Sequence, residues 1–195
     1  MRVNKAFSLT LVVVTLSAIA CSKKEGYSDS ASGATTAAMA PATPPAPVLT
    51  DPNIVYILDQ ANAADSARGK LAETKATNAE VKRFGRLMVG EHHGLRVAGQ
   101  ALAKKLNVTP QAPPSDQSEA QTKQEMDSLQ AVPKGKAWDK AYIDFEVTYH
   151  QAVLETATKA LEAAQNAELK NLIQTAAPVI QRHLDMAKQI QPKLQ

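Results

Sequence analysis

The fold is decided by residues 77–106, which read TNAEVKRFGRLMVGEHHGLRVAGQALAKKL. Apolar residues recur there every three or four positions, from Val81 and Phe84 to Leu102, which is the spacing of one face of an α-helix. The first four residues, from Thr77 to Glu80, have the pattern of a capping box, which starts a helix. The stretch therefore predicts a long amphipathic helix with one buried side.

Three more long helices are predicted on either side of this one. Asp51 followed by Pro52 has the pattern of an N-cap with proline in the first turn, and the first helix runs from there to about Lys75. Helical spacing of apolar residues returns from Ala137 to about Gln165, and again from Ala167 to about Ile190.

A shorter polar helix is expected around Ser118–Ala131, between prolines on one side and Pro133 and Gly135 on the other. Four long helices paired through short turns form a four-helix bundle. We therefore predict an all-α fold over residues 51–195, an up-and-down four-helix bundle with one extra short helix in the connection between its two hairpins.

Composition excludes several classes of function. The 195 residues include 22 Lys and Arg against 19 Asp and Glu, a formal net charge of +3. This excess of positive charge is too small to indicate a nucleic-acid-binding protein. The single cysteine, Cys21, excludes an intramolecular disulfide and a cysteine-based zinc site. We expect no nucleic-acid partner, and the sequence identifies no protein partner.

The first twenty residues predict an export signal. Arg2 and Lys5 supply a positive start, and an apolar stretch too short to span a bilayer runs from Leu9 to Ala20. Cys21 directly follows, and this arrangement resembles the lipobox of bacterial lipoproteins. The resemblance implies cleavage between Ala20 and Cys21 and acylation of the cysteine, which anchors a protein stably when several chains are attached.

The membrane is therefore the expected partner, through lipidated Cys21. Residues 21–50 are rich in Ala, Ser, Thr and Pro, a composition that cannot bury enough apolar surface to fold, and we interpret them as a disordered tether. Ser22 stands where Asp would indicate retention in the inner membrane. The expected location is the bacterial cell envelope, on the periplasmic face of the outer membrane.

Each predicted long helix carries at least one ionisable residue within its apolar side, and within each hairpin these residues lie at similar heights. These candidates for a metal site are Asp65, Glu91, His92, Glu146, His150 and His183. Ions that are buried alone are costly, so such a layer must be hydrogen-bonded, paired or bound to metal.

Three interpretations of this layer remain open. A network of hydrogen bonds between histidines and carboxylates is the first. A mononuclear site in which His92, His150 and His183 act with a carboxylate is the second, and it suits zinc or copper. A dinuclear iron site is the third, but such bundles use Glu-x-x-His, and no Glu stands three residues before any of the histidines.

The same positions carry a resemblance to a known family. The matching segments are Ala63-Ala64-Asp65, Met88-Val89-Gly90-Glu91-His92, Trp138-Asp139-Lys140-Ala141-Tyr142 and His183-Leu184. Together they resemble an uncharacterised bacterial family, domain of unknown function 4142, whose members are described as outer-membrane proteins. The resemblance spans roughly Ile54 to Ile190, and it maps the family's histidines onto His92, His150 and His183.

That resemblance implies a ferritin-like bundle in the cell envelope and no established reaction. The expected function is that of a non-catalytic, lipid-anchored envelope protein, with or without one zinc, copper or iron ion in its internal layer. A ferritin-like metal oxidase or metal-storage protein is the alternative.

Overall fold

The computed structural model describes residues 49–195, which contain helices and no strands. The helices are α1 (Asp51–Lys75), α2 (Ala79–Lys105), α3 (Ser118–Ala131), α4 (Lys136–Ala163) and α5 (Ala167–Ile190), followed by a 3-10 turn at Gln191–Leu194. The predicted signal peptide, the Ala20–Cys21 cleavage and lipidation site and most of the predicted tether lie outside the described residues. None of the helices in residues 49–195 is both long and apolar enough to cross a membrane.

The helix boundaries agree with those predicted, but two of the caps differ. Asn78, not Thr77, caps α2, because its Oδ1 accepts hydrogen bonds from the backbone N–H groups of Glu80 (2.7 Å) and Val81 (3.3 Å). The capping box belongs instead to α1, where Thr50 is the N-cap. Polar residues adjacent in sequence compete for the same role, so the pattern located each cap to within one position.

α1 and α2 form a close hairpin because two glycines face each other. A Cβ atom added to Gly69 would lie 2.6 Å from the carbonyl oxygen of Gly85, and one added to Gly85 would lie 2.6 Å from the Cβ of Ala72. Only glycine permits backbones to approach so closely.

Carboxylates at the starts of α1 and α4 tie the two hairpins together. Asp139, in the first turn of α4, accepts hydrogen bonds from the backbone N–H groups of Thr77 and Asn78, each at 2.9 Å, in the α1–α2 turn. Asp51, the first residue of α1, accepts one from the backbone N–H of Gln165 (2.8 Å) in the α4–α5 turn. The two turns therefore lie at opposite ends of the bundle.

This arrangement corrects the predicted topology. Since α2 and α4 begin at the same end, they run in the same direction, and the simple up-and-down order is wrong. The connection that contains α3 crosses from one end to the other. Tyr56 of α1 donates to Asp116 (3.2 Å) before α3, and Trp138 of α4 donates from Nε1 to the carbonyl oxygen of Leu129 (2.9 Å) near its end.

The apolar core has two parts. One lies toward the α1–α2 turn, with the large side chains of Phe84, Trp138 and Tyr142. The other lies toward the α4–α5 turn and includes Ile54 and Leu169. The ionisable side chains described next lie between the two parts, in what we call the polar layer.

Candidate metal centre

All four long helices contribute to the polar layer. Six ionisable side chains there are at most 2 % exposed: Asp65 and Arg68 from α1, His92 from α2, Glu146 and His150 from α4, and His183 from α5. Five of them were expected from the sequence as candidate metal ligands. Arg68 was not among the candidates.

Three histidines converge at the centre of the polar layer. The ring centroids of His92 and His183 are 5.0 Å apart, those of His150 and His183 are 5.4 Å apart, and those of His92 and His150 are 5.8 Å apart. One potential ligand nitrogen from each ring lies within 4.8 Å of the other two. We call these residues the histidine cluster.

Hydrogen bonds to oxygen acceptors orient the first two rings. His92 Nδ1 lies 2.8 Å from Asn62 Oδ1, and the amide of Asn62 is itself oriented because its Nδ2 donates to the carbonyl oxygen of Leu58 at 2.7 Å. His150 Nδ1 lies 2.9 Å from the backbone carbonyl oxygen of Glu146. Since these acceptors have no proton to give, each Nδ1 must carry the hydrogen, which leaves Nε2 of each ring with its lone pair.

The third ring is oriented by Glu91, which lies at the edge of the bundle. His183 Nε2 lies 2.6 Å from Glu91 Oε2, and Arg182 also donates to that oxygen. The Glu91 side chain is 31 % exposed. It therefore lies outside the polar layer, whereas the sequence predicted it inside. A helical wheel places the centre of the buried side near Glu91 because it counts Ala98, which is exposed; the buried side passes through His92 instead.

Each ring consequently has one nitrogen without a partner. His92 Nε2, His150 Nε2 and His183 Nδ1 are buried and make no hydrogen bond within residues 49–195. A four-coordinate ion about 2.0 Å from each nitrogen needs ligand atoms about 3.3 Å apart. One nitrogen from each ring lies within 4.8 Å of the other two, so the rings would have to move closer together to hold such an ion.

Asp65 adds an oxygen at the edge of the histidine cluster. Its Oδ2 lies 3.6 Å from His92 Nε2 and makes no hydrogen bond within the described chain. Its Oδ1 accepts a hydrogen bond from Arg68 Nη2 at 2.8 Å. A second group of potential ligand atoms, one each from Asp65, Glu146 and His150, also lies within 4.8 Å. We call this group the carboxylate cluster.

Arg68 connects the carboxylates. Its Nε donates to Glu146 Oε1 at 3.3 Å and its Nη1 to Glu125 Oε2 of α3 at 3.2 Å, while its guanidinium carbon lies 3.8 Å from the ring centroid of Tyr149. The sequence does contain a signal for this residue, because Arg68 stands three positions after Asp65 on the apolar side of α1. An ion pair at that spacing can be buried as a unit.

Burial and neighbouring charges set the protonation of these groups. Burial lowers the pKa of His92 to about 4, so the ring is neutral near pH 7. Burial also acts against charge on His150, but its hydrogen bond to Glu146 and the nearby carboxylates outweigh this and raise its pKa. Burial raises the pKa of Glu146, whereas at Asp65 the charges of Arg68 and the histidines outweigh burial and lower the pKa.

One solved structure with a similar fold is described as "CopM in the Cu(II)-bound form". It is 14 % identical in sequence, the match covers 74 % of this chain and 98 % of that chain, and the TM-score is 0.57. At this identity the likeness concerns the fold alone. Among curated proteins, none matches the chain.

The sequence itself matches a family model over residues 34–190, which includes every residue of the polar layer. The model is described as "Domain of unknown function (DUF4142)". The chain belongs to this family.

Proposed function

We propose that the protein binds one transition-metal ion through His92, His150 and His183. The observation that carries the proposal is that each ring uses one nitrogen on an oxygen acceptor and keeps the other unpartnered. Metal-binding histidines have this arrangement because the acceptor sets the tautomer and orients the lone pair. If the layer were only a network of hydrogen bonds, both nitrogens of each buried ring would be expected to have hydrogen-bond partners.

The donor set favours zinc or copper over iron. Three imidazole nitrogens with Asp65 Oδ2 as a fourth ligand suit zinc(II) or copper(II), whereas iron sites in bundles are richer in carboxylates. The structural neighbour is described in a Cu(II)-bound form, which supports copper as the first ion to test.

The three histidine nitrogens group within 4.8 Å of one another without an oxygen of Asp65, so the site favours binding over catalysis on the condition that Asp65 closes the fourth position. Catalytic zinc sites keep one position open for water or substrate, while closed sites are structural. The bundle itself has one long crossover connection, a topology that ferritin-like bundles share. We infer a ferritin-like bundle that holds an ion in its interior, with metal oxidation or storage as the alternative.

The experiment is a metal titration of the full-length chain, purified in detergent and stripped with a chelator. We expect about one copper(II) or zinc(II) per chain by elemental analysis and calorimetry. The variants His150→Asn and His183→Gln each keep an N–H at the position that now donates to oxygen and remove the free nitrogen, so both should lose at least a hundredfold in affinity. His93→Asn, which changes the exposed neighbour of His92, is the matched control and should bind as the wild type does.

Circular dichroism of each variant shows whether it is still folded. Loss of affinity in a folded variant is then due to the missing histidine nitrogen and not to unfolding. Absence of binding by the folded wild type, or equal affinity in folded His150→Asn and His183→Gln, would overturn the proposal. Two irons per chain would instead favour the oxidase or storage alternative.

We further propose that the bundle is attached to the outer membrane through lipidated Cys21 and faces the periplasm. The support is the apolar stretch that ends at Cys21 together with the small residues before it. Cys21→Ser should move the protein from the membrane fraction to the soluble fraction of the envelope, and continued retention would contradict the anchor. Ser22→Asp should shift the lipidated protein toward the inner membrane in a density gradient.

A further inference from the structure

The carboxylate cluster has the composition of a second metal site. Asp65 and Glu146 are at most 1 % exposed, and each can offer an oxygen within 4.8 Å of the other and of a nitrogen of His150. His150 belongs to both clusters, so the two groups adjoin. A neutral imidazole has a single lone pair and binds one ion, so in a dinuclear centre His150 would serve one ion and the carboxylates of Asp65 and Glu146 would hold the other.

The guanidinium of Arg68 lies against this cluster. It donates to Oδ1 of Asp65 at 2.8 Å and to Oε1 of Glu146 at 3.3 Å, with no part of its side chain exposed. Arginine cannot be deprotonated in proteins, so a full positive charge is permanently present between the two carboxylates. The ring of Tyr149, 3.8 Å away, adds a cation–π contact that holds the guanidinium in place.

Charge balance limits how many ions the polar layer can accept. When ionised, the three carboxylates that Arg68 contacts, those of Asp65, Glu125 and Glu146, carry three negative charges. The guanidinium leaves two of these uncompensated, and one divalent ion at the histidine cluster, whose rings must be neutral to bind a metal, balances them. A second divalent ion would leave a net charge of two in a site that is buried except for Glu125, whose side chain is 27 % exposed, and uncompensated charge in such a site is strongly unfavourable.

We propose that Arg68 takes the place of a second metal ion and thereby limits the polar layer to one. This inference rests on the proposed function, since it concerns the stoichiometry of the same site. Arg68 is a positioning residue in this view: it binds Oδ1 of Asp65 and leaves Oδ2, which lies 3.6 Å from His92 Nε2, free to face the histidine cluster.

The test compares the number of zinc ions bound by Arg68→Ala and Arg68→Lys. Zinc is added to the full-length chain at saturation, and the ions per chain are counted by native mass spectrometry. Arg68→Ala removes the charge and opens space, so it should bind two ions where the wild type binds one. Arg68→Lys keeps the charge and should bind one, as should Arg68→Ala combined with Glu146→Gln, which lacks the second carboxylate.

Stability gives a second readout, because removing one partner of a buried ion pair is destabilising. Arg68→Ala should unfold more readily than the wild type without metal and regain more stability than the wild type when zinc is added. If Arg68→Ala folds only with zinc, the ions are counted in the protein refolded with zinc. Arg68→Gln, which is neutral but keeps a hydrogen-bond donor, should also bind two ions.

The possible failures are distinguishable. A folded wild type that binds no zinc overturns the proposed function itself. A wild type that binds one ion, with Arg68→Ala and Arg68→Gln also binding one, overturns only the role of Arg68. Failure of both variants to fold at saturating zinc also overturns that role, because the ion is then unable to replace the guanidinium.

Discussion

Each buried histidine has a different type of acceptor: a side-chain amide for His92, a backbone carbonyl for His150 and a carboxylate for His183. Two of these acceptors are neutral and one is charged, but burial and the surrounding charges also act on the rings: the pKa is lowered at His92 and His183 and raised at His150. His92 faces a neutral amide and is buried, which disfavours its charged form most clearly, since its pKa falls from 6.5 to about 4.

This depressed pKa of His92 makes the metal-free protein sensitive to acid. Between pH 6.5 and 4 the unfolded chain protonates this residue while the folded chain does not, so the unfolded state binds more protons and stability falls as pH falls. The pKa difference corresponds to about 3 kcal/mol. We predict that the free energy of unfolding of His92→Asn, measured in chelator by urea denaturation, declines by about 3 kcal/mol less than that of the wild type over this range.

Asparagine is suited to this comparison because its Nδ2 can replace the Nδ1 donor that contacts Asn62. Other groups in the polar layer also titrate and are present in both proteins, so the difference between the two curves reports His92 together with its charge interactions with Asp65, His150 and His183. His93→Asn serves as the control and should follow the wild-type curve. Parallel curves for the wild type and His92→Asn would contradict the prediction.

Helical periodicity was sufficient to identify most of the buried ionisable residues. It did not show which of two adjacent residues in a helix is the more deeply buried. A helical wheel correctly places four residues on the buried side, namely Asp65, Glu146, His150 and His183. It places Glu91 at the centre of that side and His92 at its edge, whereas in the structure His92 is buried and Glu91 is partly exposed. Adjacent residues differ by only about 100° on a wheel, and Arg182 on another helix, which no wheel of α2 contains, holds Glu91 at the surface.

At the scale of the helices, α1 and α2 approach each other closely at Gly69 and Gly85. We predict that Gly85→Ala destabilises the protein by about 1–3 kcal/mol, because its new methyl group would lie 2.6 Å from Ala72 and force the two helices apart. Gly90→Ala, on the same helix, has no atom within 4 Å of the added carbon and should stabilise by about 0.5–1 kcal/mol through helix propensity.

Urea denaturation midpoints of the two variants measure this difference directly. If the midpoint of Gly85→Ala shifts in the same direction as that of Gly90→Ala, the prediction is wrong, because the α1–α2 hairpin then accommodates the extra methyl group without loss of stability. Both positions lie in one helix, so a general effect of alanine on α2 cannot produce opposite signs.

The extent of the helices could be predicted from local sequence, but their relative direction could not. Caps, prolines and apolar spacing act within a few residues, and they located α3 at Ser118–Ala131 as the structure has it. The direction of α4 depends on contacts between residues far apart, such as Asp139 with Thr77 and Asp51 with Gln165. The connection between α2 and α4 is long enough for either direction, so no local pattern distinguishes them.

At the scale of the whole molecule, the polar layer joins the two hairpins. The histidine cluster takes His92 from the first hairpin and His150 and His183 from the second, and Asp65 belongs to the first. An ion bound there would link both hairpins between the two apolar parts of the core. It would also bind only to the folded chain, because the unfolded chain does not bring these residues together.

Metal should therefore stabilise the entire bundle against unfolding. At a free metal concentration about one hundred times the dissociation constant, linkage adds about 2.7 kcal/mol, which corresponds to a rise of about 5–10 °C in Tm for a chain of this length. We predict this rise for zinc added to the chelated wild type and to His93→Asn, followed by circular dichroism in the helical band. In His183→Gln the rise should vanish, because the variant keeps the contact with Glu91 and loses only the free nitrogen. An equal rise in His183→Gln would show that zinc stabilises the bundle elsewhere, since the variant lacks one of the three nitrogens through which an ion could join α5 to the first hairpin.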